Sequence, residues 1–154
     1  SVPIGKGIIR KYGKDLTLVS VSYMATECCK AANYLADIGI DVENIDLRTV
    51  KPLDENLILE SVRKTGRLVI ADGGWKSFGI AAEISAIVCE KAFDFLKEPI
   101  IRIALPDCPA PANGVLEKVY YPTWQNIAIA VENLLGNGKT RRLNNGIQST
   151  VCET

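Results

Sequence analysis

Residues 64–88 constrain the fold more tightly than any other stretch of this chain. An apolar run, Leu68–Ala71, ends at Asp72 and two glycines. A loop carrying Trp75 and Phe78 then leads into an apolar-periodic segment that begins at Gly79. A short, continuously apolar run reads as a strand buried on both faces, and the periodic segment reads as a helix lying on it. Strand, tight turn and helix in that order form the repeating unit of an open α/β sheet. Loops that leave the carboxyl ends of such strands make the functional edge. The loop from Gly73 to Gly79 is therefore where a partner or ligand is expected.

The rest of the chain repeats the pattern. Lys6–Arg10 and Leu16–Val21 are strand candidates, and the turn-forming residues Tyr12–Asp15 between them predict a hairpin-like connection and one antiparallel edge strand. Ala25–Ile38 spaces Ala25, Cys28, Cys29, Ala32, Leu35 and Ala36 as one helix face, with Gly39 as its left-handed terminator. Ile40–Leu47 alternates as a strand. Asp54 is placed to cap a helix through Lys64, with Leu57, Ile58, Ser61 and Val62 inward and Gly66 closing it. The helix after Gly79 is expected to run to about Leu96, followed by a strand at Ile100–Ala104. Three prolines in Leu105–Gly114 predict an extended loop rather than a helix. Thr123 begins a last helix carrying Trp124, Ile127, Ala128, Val131, Leu134 and Leu135, and Gly136 ends it. The expected architecture is a three-layer α/β/α domain over residues 1–135 with a mostly parallel sheet. Residues 136–154, polar and turn-rich and including Lys139, Arg141 and Arg142, read as a flexible tail.

Chemistry is narrowed by one absence: the chain contains no histidine. Histidine-dependent nucleophile systems, histidine general bases and the commonest metal ligand go with it. Five cysteines form no Cys-x-x-Cys pair, and Cys28, Cys29 and Cys89 read as buried small apolar residues in a reducing, intracellular setting. Lysine and arginine balance aspartate and glutamate at 18 each, which gives no footprint for nucleic acid or an anionic membrane, and no apolar run is long enough to span one. Gly74–Gly79 has the glycine spacing that opens a phosphate loop, but Ile80 and Ala81 stand where lysine and a hydroxyl are needed. An anion could still sit at the helix start, met by amides near Gly74 and Gly79 and by Arg48. Asp72, with Glu83 further along, is the one acid at a strand end that could serve as a general acid. Trp75 and Phe78, two aromatics in a polar loop, fit a protein contact.

Several blocks occur together and in a recognisable order: Pro3–Lys6, Asp46–Asp54, Ser61–Val69, Asp72–Gly79, Ala82–Ile84, Ala92–Leu96 and Pro106–Pro111. On these the chain resembles the carboxy-terminal domain of the transketolase superfamily. Within it, the chain is most similar to beta subunits of the decarboxylating component of pyruvate dehydrogenase complexes. The Gly-Gly-Trp-x-x-Phe-Gly form of the loop at 73–79 points to pyruvate rather than branched-chain substrates. The resemblance implies a five-stranded mixed sheet with one antiparallel strand. It implies that thiamin diphosphate belongs to the parent enzyme and is held by a preceding domain, so that this domain supplies no catalytic, cofactor-binding or metal-binding residue. It also implies three partners: the thiamin-binding domain or alpha subunit, a second copy, and the subunit-binding domain of a dihydrolipoyl acyltransferase. Lys97 and Glu98 stand where docking relatives carry an acid, and with Trp75 and Phe78 they are the expected contact residues. A mitochondrial matrix or bacterial cytoplasmic location follows from the same resemblance. The rival expectation is an anion or nucleotide module built on Gly73–Gly79.

Overall fold

A computed structural model describes residues 3–136. The strands are β1 (Ile8–Lys11), β2 (Leu16–Ser20), β3 (Val42–Asp46), β4 (Leu68–Trp75) and β5 (Ile101–Leu105). The helices are α1 (Met24–Asp37), α2 (Glu55–Thr65), α3 (Ile80–Ala92), α4 (Gly114–Tyr120) and α5 (Trp124–Leu135), with a 3₁₀ turn at Phe93–Phe95. The sheet order is β1-β3-β2-β4-β5; β1 is antiparallel to β3 and every other pair is parallel. This is the expected α/β class with one antiparallel edge strand.

Strand parity builds the three layers. Leu16, Leu18, Val69 and Ala71 face α1 and α5, whereas Val19, Leu68 and Ile70 face α2 and α3. A strand covered on both sides is apolar throughout, hence the unbroken run at Leu68–Ala71. Thr17, a polar intrusion in β2, is satisfied: its hydroxyl lies 2.7 Å from both Ser61 Oγ and Thr65 Oγ1 of α2.

The expected hairpin does not form. The segment between β1 and β2 passes beneath the start of β3, which inserts between them. The Asp41 carbonyl accepts from Lys14 and Asp15 amides at 3.0 and 2.9 Å, and the Asp15 carboxylate accepts from the Asp41 amide at 2.8 Å. A Cβ on Gly13 would lie 2.3 Å from the Val42 backbone, so the crossing needs glycine. The strand at Val42–Asp46 is also buried at all five positions, including Glu43 and Asn44, instead of alternating with solvent. Buried Glu43 is ion-paired to Lys64 and accepts from the Gly13 amide. Asp54 stands at the start of α2, but its side chain does not cap it; it accepts from the Gly7 amide at 3.2 Å and lies 3.8 Å from Lys6. The helix after Gly79 ends at Ala92 rather than Leu96, and α4, expected nowhere, starts at Gly114 where the proline-rich loop ends, capped by Asn113 accepting from the Val115 amide. The residues expected to form a tail beyond Gly136 lie outside the described residues.

Candidate functional site

The parallel strands β2, β3 and β4 all exit at one edge, and each exit loop holds one non-glycine residue in the left-handed region: Ser22 at φ 60°, Arg48 at 61° and Phe78 at 59°. Each such residue costs about 1–3 kcal/mol and persists only where its surroundings enforce it. Three on one edge mark it as the specialised face of the domain.

Because α1 and α3 lie on opposite faces, the loops after β2 and β4 diverge, which is where open α/β sheets leave a ligand crevice. Here that notch is filled. The Tyr23 ring packs over Gly73 so closely that a Cβ there would lie 2.6 Å from it, and burial, then Tyr121 and Glu27, push the Tyr23 phenol up.

Asp72, 5% exposed at the end of β4, turns back on the start of α3. One carboxylate oxygen accepts from the Gly74 amide at 2.9 Å and the other from the Ala81 amide at 3.3 Å. A side chain on Gly79 would sit 2.8 Å from Asp72 and 2.4 Å from the Trp75 carbonyl. The helix-start amides offered to an anion are thus already engaged by the chain's own carboxylate. Arg48 stays half-buried at the exit of β3, its amide donating to Asp46 Oδ1. Glu83 is exposed on α3, so no convergent acid pair with Asp72 forms.

The aromatic loop is anchored on both sides. Trp75 bridges to Leu105 of β5, and the Lys76 amide donates to the Leu105 carbonyl at 2.9 Å. The Ser77 amide and hydroxyl both donate to Asp107, at 3.0 and 2.5 Å, holding that carboxyl below its usual range. Arg102 donates to the Lys76 carbonyl at 2.9 Å. On this braced loop Trp75 is 57% exposed and Phe78 is exposed completely, at 103%. Tyr23 and Asp107 were missed from sequence; the acid directly after Pro106 at a strand exit was the available signal.

Lys97 and Glu98 lie elsewhere. They follow the carboxyl end of α3, whereas Phe78 precedes its amino end, so the 13-residue helix separates them by about 20 Å. Lys97 lays its stem across Gly66 and donates its amide to the Gly66 carbonyl at 2.8 Å, which places its charge beside the carboxyl end of α2. Both residues border a groove of about 500 Å³ floored by Phe93, Leu96 and Ile100.

The cysteines divide. Cys28 is buried, and burial pushes its thiol up to about 12, while Cys29 is half-buried. Cys89, expected inside, is exposed, because it lies on the rim of that groove rather than beneath α3. Among the described residues no cluster of side chains could hold a metal ion, and no helix is long and apolar enough to cross a membrane.

The family described as transketolase, C-terminal domain, matches residues 5–127. The chain is 43% identical over 138 residues to the mitochondrial pyruvate dehydrogenase E1 component subunit beta of Dictyostelium discoideum, covering 90% of this chain and 39% of that one. It is 40% identical over 136 residues to the acetoin:2,6-dichlorophenolindophenol oxidoreductase subunit beta of Bacillus subtilis, covering 88% and 40%. A solved structure described as a split gene transketolase, inactive beta4 tetramer, superposes with a TM-score of 0.78 at 26% identity over 88% of this chain and 44% of that one. The chain therefore spans well under half the length of these relatives.

Proposed function

The chain belongs to the transketolase C-terminal domain family, and on that premise we propose that it is the assembly domain of a pyruvate dehydrogenase beta subunit, without catalysis of its own. The observation that carries this reading is Phe78, fully exposed and backbone-strained on a loop held from both sides. A rigid exposed aromatic loses little freedom on docking and buries a large apolar area, which is how interface anchors work. Its partner at this edge is the thiamin-binding domain or the alpha subunit of the same enzyme, with a second copy completing the pair. The groove beside Lys97 and Glu98, at the far end of α3, is assigned to the acyltransferase subunit-binding domain.

The parent reaction is oxidative decarboxylation of pyruvate with acetyl transfer to a lipoyl group. Thiamin diphosphate supplies the carbanion chemistry of that reaction when bound elsewhere in the enzyme. Support for placing it elsewhere is that Asp72 already engages the Gly74 and Ala81 amides and the Tyr23 ring packs over Gly73. No step is assigned to this chain. Its place is the matrix of a mitochondrion or the cytoplasm of a bacterium, as the source dictates.

Co-purification of the tagged chain with the matching thiamin-binding part, and separately with an acyltransferase subunit-binding domain, tests the reading. Retention of the first partner is expected. Titration calorimetry with phosphate, nucleotides and thiamin diphosphate is expected to stay flat. Failure to retain the thiamin-binding part, together with a heat of binding for one of these anions, would replace assembly by the rival anion-binding role.

A further inference from the structure

The outer flank of the domain, where β1, β3 and α1 meet, lies apart from both contact surfaces and holds an unusual polar arrangement. Asn44 is 1% exposed and points from β3 toward α1. Its Nδ2 donates to the Cys29 sulfur at 3.3 Å, while its Oδ1, shielded from solvent, has no partner among the described residues. A buried amide oxygen without a donor leaves its desolvation uncompensated. Two cations frame the same flank. Arg10 donates to Asp46 at 2.8 Å, and Lys11 Nζ donates to the Ala32 carbonyl of α1 at 3.0 Å.

We propose that Cys29 is an oxidation site whose sulfenic acid is received by Asn44. In the step, the Cys29 sulfur attacks one oxygen of a hydroperoxide. An S–O bond forms as the O–O bond breaks, the thiol proton leaves with the departing hydroxide as water, and sulfur is oxidised by two electrons while the peroxide is reduced. The new S–O–H then carries the one group the site lacks, a donor for Oδ1, while Nδ2 continues to donate to the oxidised centre. A carboxamide serves both halves of a sulfenic acid in a way that neither a carboxylate nor an apolar side chain would. Cys28 does not resolve the product. Its buried thiol is held protonated, and successive helical positions diverge by about 100°. With Cys28 unavailable, the expected product is a sulfenic acid rather than a Cys28–Cys29 disulfide. This inference is independent of the assembly role.

The test treats the reduced, full 154-residue chain with one equivalent of hydrogen peroxide, traps sulfenic acid with dimedone, and locates adducts among the five cysteines by peptide mass spectrometry. The adduct is expected mainly on Cys29, ahead of Cys89, although Cys89 is the more exposed thiol. Asn44→Ala is expected to cut Cys29 labelling at least fivefold while leaving its alkylation by N-ethylmaleimide within twofold. Adducts that follow exposure, with Cys89 first, would overturn the proposal without any variant. So would Cys29 labelling that is unchanged in a folded Asn44→Ala protein.

Discussion

Asp72 decides what the glycine-rich loop can be. From sequence, it was an acid at a strand end, open to acid–base chemistry; in the fold it is the internal counter-anion of α3. Replacing it with alanine strands the Ala81 amide at the start of α3 and the Gly74 amide in the turn before it, a loss of about 0.5–2 kcal/mol, which chemical denaturation would register as a lowered midpoint at unchanged slope. Glu27 works at longer range. It takes Lys30 on one oxygen at 2.6 Å and caps α5 from α1 by accepting the Trp124 amide on the other at 2.8 Å. The Lys30 hydrogen bond, followed by the Trp124 amide, outweighs burial and holds its carboxyl below the usual range. The stability it contributes is therefore fully present above about pH 4.3, the ordinary glutamate value, and is lost as pH falls through its depressed folded value. Glu27→Gln should flatten the acid limb of a stability–pH profile; a limb of unchanged steepness would remove this role. The Trp124 partnership was not legible in sequence, since 97 residues separate it from Glu27.

At the scale of elements, periodicity and glycine placement carried most of the fold. The apolar run of β4 and the face of α5 stand where spacing put them, and Gly39 and Gly66 both adopt positive φ at helix ends. The helix α1 buries Cys28, Ala32 and Leu35 as expected but adds Met24 and Ala31 and leaves Ala36 exposed. Periodicity failed where a tertiary partner decided the outcome. Tyr12–Asp15 had the composition of a hairpin turn, yet Asp15 and Asp41 bind each other's amides and draw β3 into the gap. Glu43 and Asn44 gave β3 the look of a half-solvated strand because their partners, Lys64 and Cys29, lie on other elements. α4 went unassigned because its seven residues are too few to show a periodic face; it is held by its own Asn113 cap. The crossing beneath β3 makes a sharp prediction. Gly13→Ala meets backbone at 2.3–2.6 Å and should cost about 1–3 kcal/mol or more, whereas Gly7→Ala meets the movable tip of Leu57 first, at 2.7 Å, and should cost less. Equal denaturation midpoints for the two variants would mean that the crossing is not tight.

For the whole molecule, two distinct surfaces stand at opposite ends of α3. The carboxyl edge collects the strained exits of β2, β3 and β4 and the braced aromatic loop, and the far end of α3 carries the groove beside Lys97 and Glu98. Trp75 and Phe78 stood out in sequence as aromatics among polar neighbours. What could not be read there was their rigidity, which rests on Asp107, contributed from beyond β5 and 30 residues from Ser77. Asp107→Ala should therefore weaken partner binding with Phe78 still present, and the two should act as one unit in a double-mutant cycle. The measurement that bears most directly on an assembly role is sedimentation of the chain with the matching thiamin-binding part, for the wild type and for the Trp75→Ala/Phe78→Ala pair. A complex for the wild type, weakened at least tenfold in the double variant, is the predicted result. A wild-type chain that sediments alone at every concentration, or a complex indifferent to the loss of both rings, would contradict it.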